Sequence, residues 1–240
     1  MTVTDKYPIV LNRLIVLMVL ITNYRFNFKV MKKILLCTLA ALVVGCVNVN
    51  ESTNVTVEKS KDKVVIGNIM TRRSIRDYKP EAVDREQMAK VVECGIYAPN
   101  AMNKQTWAVR VVDAPDFING VTEIALKQNP KLKEQPNFKN FFRNAPTVAF
   151  IACPVESYSG EFDCGLLSEN MMLSAWSMGI GSCCLGSVIP VMLSEEAKPY
   201  YERLQLPEDY KLLMAIAFGY PEGDIPAAPE RDASKAYYVE

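Results

Sequence analysis

The chain has 240 residues, half of them hydrophobic and 22% charged, so it can bury a substantial core and is neither disordered nor fibrous. It contains no histidine, which excludes His-based acid–base catalysis and nearly all His-ligated metal sites. From residue 47 onward it holds 21 basic and 26 acidic residues, a balance that argues against a nucleic-acid-binding protein. If the chain is an enzyme, a cofactor must carry the chemistry.

The first element along the chain has the form of an export signal. Lys32 and Lys33 precede an apolar run of 11 residues, 34–44, and small Gly45 stands directly before Cys46. Such a run is too short to span a membrane as a helix. The end of the run resembles the lipobox at which bacterial lipoproteins are cleaved and lipidated. Residues 1–46 are therefore predicted to be an N-terminal extension and lipoprotein signal peptide, with Cys46 as the lipidation site.

Residues 47–63 are rich in Asn, Ser, Thr and Lys, and they are predicted to form a flexible tether. The expected location is the bacterial cell envelope, lipid-anchored to a membrane on its periplasmic side; a cytoplasmic protein is the alternative. A second apolar run, residues 11–21, leaves open whether translation begins at Met1 or at Met31.

The folded domain is predicted to cover residues 64–240, and strands and helices interleave along it. Apolar residues at helical spacing predict helices at 64–71, 85–97 with Asp84 as N-cap, 115–127, 137–143, 164–179 and 194–204. Alternating or short apolar runs predict strands at 107–112, 147–153 and 212–218.

Three segments are candidates for ligand binding. Residues 72–76, RRSIR, place three guanidiniums and a hydroxyl close together, which suits a phosphate; a solvated basic helix end is the alternative. The amides of residues 98–107 could bond a flat heterocycle, or this loop is an ordinary helix–strand connection. In residues 179–187 glycines allow a ligand close to the backbone. The adjacent Cys183 and Cys184 are expected to be small core residues rather than a redox pair, and no metal site is predicted.

Taken in order, these segments match a family. RRSxR, APNAxNxQxW, Asp163-x-Gly165 with Asn170-Met171, GIGSCCLG, GYP and a late arginine closely resemble the nitroreductase-like flavoproteins over residues 64–234. The resemblance implies an α+β fold, with a central, mostly antiparallel sheet wrapped by helices. It also implies a domain-entwined homodimer with two FMN sites at the subunit interface.

The resemblance assigns the FMN site residue by residue. Those expected around the phosphate and ribityl chain are Arg72, Arg73, Ser74 and Arg76, with Arg231 closing on the phosphate. Those expected to come from the partner subunit and border the isoalloxazine are Pro99, Asn100, Ala101 and Asn103. Those expected beside the flavin are Cys184, Leu185 and Gly186, with backbone N–H groups near Gly186 facing N5.

The implied activity is a ping-pong reaction in which NAD(P)H or another donor reduces FMN. An electron-poor acceptor, such as a nitroaromatic or a quinone, is then reduced. The flavin carries the chemistry, so no side chain is assigned a catalytic role. Two alternatives stay open. One is a flavin-dependent reductive dehalogenase or flavin-cleaving enzyme, with residues 127–143 as its candidate lid; the other is a non-catalytic flavin-binding envelope lipoprotein.

Overall fold

The computed structural model describes residues 62–239, and the chain from Val64 onward forms one compact unit. Cys46, the predicted signal peptide and nearly all of the predicted tether lie outside the described residues. Among the helices that are described, none is long and apolar enough to cross a membrane.

Six α-helices and four β-strands make up the described part. The helices are α1 (62–71), α2 (Arg85–Ile96), α3 (Pro115–Gln128), α4 (Gly160–Ser177), α5 (Val188–Met192) and α6 (Lys198–Arg203). The strands are β1 (Ala108–Val112), β2 (Thr147–Pro154), β3 (Gly181–Leu185) and β4 (Tyr210–Gly219). Short 3₁₀ segments cover Ala101–Asn103, Pro130–Glu134, Glu195–Ala197 and Ala233–Lys235.

The four strands form one antiparallel sheet in the order β1-β2-β4-β3. Strand β2 is buried on both faces, because side chains alternate between the faces of a strand. Phe150 packs into one hydrophobic cluster with α3, whereas Ile151 packs into a second cluster with α2 and α4. Helices therefore cover both faces of an antiparallel sheet, and the predicted α+β fold is confirmed.

Helix α2 begins where the sequence predicts. The Asp84 side chain accepts hydrogen bonds from the backbone N–H groups of Glu86 at 2.9 Å and Gln87 at 3.1 Å. These bonds satisfy two of the amides that a helix N-terminus leaves without a partner. The predicted N-cap is confirmed, and α2 then packs along α4.

The helix predicted at 137–143 is wrong. The side-chain oxygen of Asn144 accepts the backbone N–H groups of Lys139 at 2.7 Å and Asn140 at 3.1 Å, and that of Asn140 accepts Phe142 N–H at 2.9 Å. Asparagine side chains compete in this way with helical hydrogen bonds and favour turns. Arg143 and Asn144 adopt left-handed backbone conformations, with φ of 58° and 68°. We call residues 137–144 the asparagine loop.

Residues 181–185 form β3, although no strand was predicted there. Helix α4 ends before Gly179, whose φ of 75° turns the chain back toward the sheet. The chain then pairs with β4 from Gly181 to Leu185 and forms one edge of the sheet. The glycine-rich segment is therefore a sheet edge rather than a free loop.

Candidate functional site

The arginine motif, residues 72–76, lies against the edge strand β3. The backbone N–H of Ile75 donates to the carbonyl oxygen of Ser182 at 3.0 Å, and Ser74 forms a parallel bridge with Ser182. A Cβ on Gly181 would lie 2.7 Å from Cγ1 of Ile75, closer than real Cβ atoms come. Glycine at this position therefore lets the motif reach the strand.

A buried tyrosine holds the other side of the motif. The Tyr78 hydroxyl donates to the Ile75 carbonyl oxygen at 2.6 Å, and Lys79 N–H donates to the Tyr220 carbonyl oxygen at 2.9 Å. Burial raises the pKa of Tyr78 far above its usual range, so the phenol stays a neutral donor. The motif is thus fixed between β3 and the chain that follows β4.

The three guanidiniums of the motif differ in their partners. Arg72 Nε lies 3.4 Å from a carboxylate oxygen of Glu169. Arg73 Nη1 donates to two backbone carbonyl oxygens, those of Met70 and Arg72. Arg76 is exposed, and within the described residues its guanidinium has no carboxylate at ion-pair distance. The guanidinium of Arg76 is therefore free to bind an anion.

The edge of β3 supplies backbone donors beside these arginines. The Ser182 carbonyl faces Ile75, away from β4, and successive residues of a strand point their backbone groups to alternate edges. The backbone groups of Cys184 consequently face the same side as the arginine motif. Gly186 follows the strand, is exposed, and has no atom within 4 Å of the position a Cβ would take. A ligand can approach the backbone closely there.

The two adjacent cysteines have different environments. Cys183 is buried in the core, as predicted, whereas Cys184 is exposed, which corrects the expectation that both are core residues. The Cys184 thiol lies 3.6 Å from the sulfur of Met172 in α4. Both cysteines are free thiols. The third residue assigned to this stretch, Leu185, is 4% exposed, so it can offer only backbone to a ligand.

The predicted isoalloxazine loop, residues 99–103, is anchored to the start of α4. Asp163 is 2% exposed, and its carboxylate accepts Ala101 N–H at 3.2 Å and the Ser159 hydroxyl at 3.1 Å. The side-chain oxygen of Asn100 accepts Gln105 N–H at 2.9 Å. Asn103 and Pro99 are exposed. The loop is thus fixed by hydrogen bonds, and it exposes Pro99 and Asn103 to solvent.

Within one chain, the loop contacts the start of α4, whereas Arg72 contacts Glu169, about 9 Å farther along the helix axis. Helix α1, which leads into the motif, contacts the last turn, where Trp176 Nε1 donates to the Thr71 hydroxyl at 3.0 Å. At 1.5 Å per residue, Trp176 lies about 20 Å along the helix axis from Asp163. The described contacts therefore do not bring the two motifs together. This arrangement is compatible with a loop that completes the site of a second subunit.

A cavity of about 700 Å³ opens beside Arg76. Its lining includes Ser187, which directly follows Gly186, and residues of α3, α5 and the asparagine loop. The volume is in the range of small-molecule sites. A lid was predicted in this region, and of the lining residues only Arg76 was predicted as a site residue; the amide-rich composition of residues 128–144 was the available signal for the others.

Arg231 is a predicted site residue that has no described contact with the arginine motif. It lies in the exposed tail after β4, and its guanidinium donates to the Glu230 carbonyl oxygen at 3.4 Å. The expectation that it closes on the phosphate stays a prediction.

Comparison with known proteins identifies the family. Residues 69–220 match the model of the nitroreductase family. The chain belongs to the nitroreductase family. A protein of Archaeoglobus fulgidus, provisionally named an NADH dehydrogenase/NAD(P)H nitroreductase, is 30% identical over 162 residues, 65% of this chain and 84% of that protein.

Solved nitroreductase structures resemble this chain in fold. An FMN-dependent nitroreductase from Clostridium difficile is 29% identical with a TM-score of 0.61, and the match covers 75% of this chain and 99% of that one. A nitroreductase with bound FMN from Desulfitobacterium hafniense is 26% identical with a TM-score of 0.66, covering 74% and 98% of the two chains.

The residues of this chain fit FMN chemically. Arginines and the Ser74 hydroxyl are suited to a phosphate, and the β3 edge offers backbone N–H groups to a heterocycle. The hydroxyl of Ser182 is buried where the two segments meet, and it has no hydrogen-bond partner among the described residues.

Proposed function

We propose that this chain binds FMN and transfers two electrons from NAD(P)H to an electron-poor acceptor, a nitroaromatic or a quinone. The observation that carries the proposal is the junction of Ile75 with Ser182, which places the arginine motif on the edge that leads to Gly186. The cavity lined by Arg76 and Ser187 supplies space for a small molecule beside the motif. The named activities and bound FMN of the relatives support the same chemistry.

The residues of the chain would bind and orient FMN rather than take part in the reaction themselves. Arg72, Ser74 and Arg76 would hold the phosphate, and backbone N–H groups near Gly186 would hold the heterocycle. Bound FMN would supply reversible two-electron transfer. The loop at residues 99–103 would complete the site of the partner subunit in a homodimer.

The proposed reaction balances without a further reactant. NAD(P)H gives up a hydride and becomes NAD(P)⁺. A nitro group that receives two electrons and two protons becomes a nitroso group and releases one water, whereas a quinone becomes a hydroquinone. One proton comes from solvent in each case. Donor and acceptor are expected to occupy the same face in turn.

The test begins with the cofactor of the purified chain. We expect a flavin absorbance spectrum, release of a compound with the mass of FMN, and parallel double-reciprocal plots when donor and acceptor concentrations are varied together. Converging plots would show that donor and acceptor bind at once, which contradicts the ping-pong order. Bound FMN without turnover of any donor and acceptor would favour the non-catalytic flavin-binding protein.

We propose further that Cys46 carries lipid and anchors the domain to a membrane of the bacterial cell envelope. The support is the order of basic pair, apolar run, small residue, Cys46 and polar segment. NAD(P)H is a cytoplasmic donor, so an enzyme on the periplasmic side would draw electrons from another donor. A cytoplasmic enzyme would use NAD(P)H directly, and cell fractionation separates the two cases.

A further inference from the structure

The cavity beside Arg76 has a distinctive charge. Its lining contains two guanidiniums, those of Arg76 and Arg143, and no carboxylate. Five side-chain amides also line it: Gln128, Asn129, Gln135, Asn140 and Asn144. Acidic residues outnumber basic ones in the chain from residue 47 onward. A concave site with positive charge in a part of the chain that is otherwise net negative attracts anions.

Arg143 is held at the rim by the asparagine loop. Next to it, Phe142 is fully buried, with its ring 6.1 Å from that of Phe150 at an angle of 88°. Asn140 Nδ2 donates to the Ala145 carbonyl oxygen at 3.1 Å, and Asn144 accepts two backbone N–H groups on the other side. The backbone that carries Arg143 is therefore fixed from both directions.

The charge of Arg143 is not neutralised within the described part of the chain. Its Nη1 donates to the Gln135 side-chain oxygen at 3.3 Å, and no carboxylate lies at ion-pair distance. The nearby acids Asp77 and Glu222 pair instead with Lys139, at 3.7 Å and 2.9 Å. Arg143 thus remains available to an anion inside the cavity.

The same cavity has an apolar part. Phe138, Phe141, Leu132 and Val191 line it beside the polar groups. Aromatic and aliphatic walls with a few placed polar groups suit a flat ring that carries a charged substituent. A guanidinium binds a carboxylate through two parallel hydrogen bonds, which gives direction as well as charge.

We propose that this cavity selects aromatic acceptors that carry a carboxylate, and that Arg143 is the residue that determines this preference. The proposal rests on the proposed function, since the cavity is taken as the place where the acceptor lies. Arg76 adds positive charge, but it is also assigned to FMN. The test therefore substitutes Arg143 rather than Arg76.

The experiment compares 4-nitrobenzoate with 4-nitrobenzamide, which has nearly the same shape and no charge. Binding to the purified chain without donor is measured by isothermal titration calorimetry, and kcat/KM is measured with donor present. We expect the parent chain to prefer 4-nitrobenzoate in both measurements. Arg143→Gln should lower binding and kcat/KM for 4-nitrobenzoate roughly fivefold, because a charge-assisted bond at a partly exposed site is weakened by solvent. The values for 4-nitrobenzamide should change little.

Two variants serve as controls. Lys133→Gln removes a cation from the nearby 3₁₀ segment Pro130–Glu134. Lys133 does not line the cavity, so this variant should leave the preference unchanged. Arg143→Lys should restore part of the 4-nitrobenzoate affinity, because it returns the charge without the bidentate geometry.

Three results would overturn the proposal. Equal losses for both compounds would mean that Arg143 shapes the cavity rather than recognising charge. Loss of FMN from Arg143→Gln would mean that the cavity holds the cofactor phosphate. Equal binding of the two compounds by the parent chain would remove the preference itself. The binding measurement needs no turnover, so it decides this proposal even where the proposed function fails.

Discussion

The backbone N–H of Ile75 lies 3.0 Å from the carbonyl oxygen of Ser182. This bond joins a segment near the start of the folded unit to a strand more than 100 residues later. It fixes the side chains of Arg72, Ser74 and Arg76 relative to the backbone of Cys184 and Gly186. The geometry of the candidate FMN site therefore depends on how closely Ile75 approaches β3.

Gly181→Ala should disturb that approach. The added methyl would lie 2.7 Å from Cγ1 and 2.9 Å from Cβ of Ile75, and overpacking of this kind destabilises by about 1–3 kcal/mol. We expect a lower melting temperature and weaker FMN binding. Gly67→Ala, in helix α1 and with no atom within 4 Å of the new methyl, is the control: it should leave FMN binding near that of the parent and should not lower the melting temperature, because alanine favours the helix. Equal behaviour of the two variants would show that the contact does not constrain the site.

Arg72→Ala and Arg231→Ala should each weaken FMN binding at least tenfold. Charge-assisted hydrogen bonds are worth about 1.5–3 kcal/mol each, and about 1.4 kcal/mol corresponds to tenfold in affinity. FMN dissociation constants are measured by fluorescence titration. Arg85→Ala is the control, because Arg85 pairs with Asp113 outside the candidate site. Unchanged FMN binding in both variants would make the assignment of these positions wrong.

Asp163→Ala should release the loop at residues 99–103. The buried carboxylate accepts Ala101 N–H, and a buried donor left without its partner costs about 1–3 kcal/mol. We expect lower stability in denaturant and faster hydrogen exchange at the Ala101 amide. Asp116→Ala, which removes an exposed carboxylate paired with Arg203, should have little effect. Unchanged exchange at Ala101 would contradict the anchoring role.

The chain should be a homodimer that persists at low concentration. Val64, Met70 and Tyr97 are 68%, 69% and 80% exposed in the single chain, and a family-type interface should bury more than about 2,000 Å². Light scattering after size exclusion measures the mass. A monomer that retains a full complement of FMN would refute the shared site.

Cys46→Ser should abolish lipid attachment when the chain is expressed in a bacterium. Stable anchoring needs more than one acyl chain, since a single chain binds membranes only marginally. The expected result is loss of labelled fatty acid and release from the membrane fraction or failure of cleavage, with FMN binding unchanged. Cys37→Ser, in the apolar run of the same signal, should be processed like the parent. Equal labelling of the Cys46→Ser protein and the parent would favour a cytoplasmic enzyme.

Local patterns predicted most of the secondary structure. Asp84 indicates the start of α2 because an aspartate side chain can accept the first amides of a helix. The burial of β2 on both faces is likewise visible in its continuous apolar run. The predictions failed where side-chain hydrogen bonds or contacts with distant segments determine the secondary structure. Asn140 and Asn144 replace helical bonds in the asparagine loop, and β3 forms only because β4 lies beside it.

The candidate site was predictable only in part. The residue types around Arg72 and Gly186 suggest a phosphate and a flat ligand, but their contact through Ile75 and Ser182 depends on the tertiary fold. The position of Arg143 was not predictable, because the placement of its side chain depends on the left-handed backbone at Arg143 and on the burial of its neighbour Phe142. The anchoring of the 99–103 loop by Asp163 also joins residues that no local pattern connects.

The length of α4 has a thermodynamic consequence. In the proposed homodimer, where Arg72 contacts the middle of α4 and the 99–103 loop is anchored at its start, the shared site would form only when two chains meet. Cofactor uptake and association are then linked by mass action, so each must strengthen the other by the same factor. Dilution should release cofactor and excess cofactor should oppose dissociation. Anchoring to a membrane would confine chains to a surface, raise their local concentration, and so favour the loaded state without any change in the site.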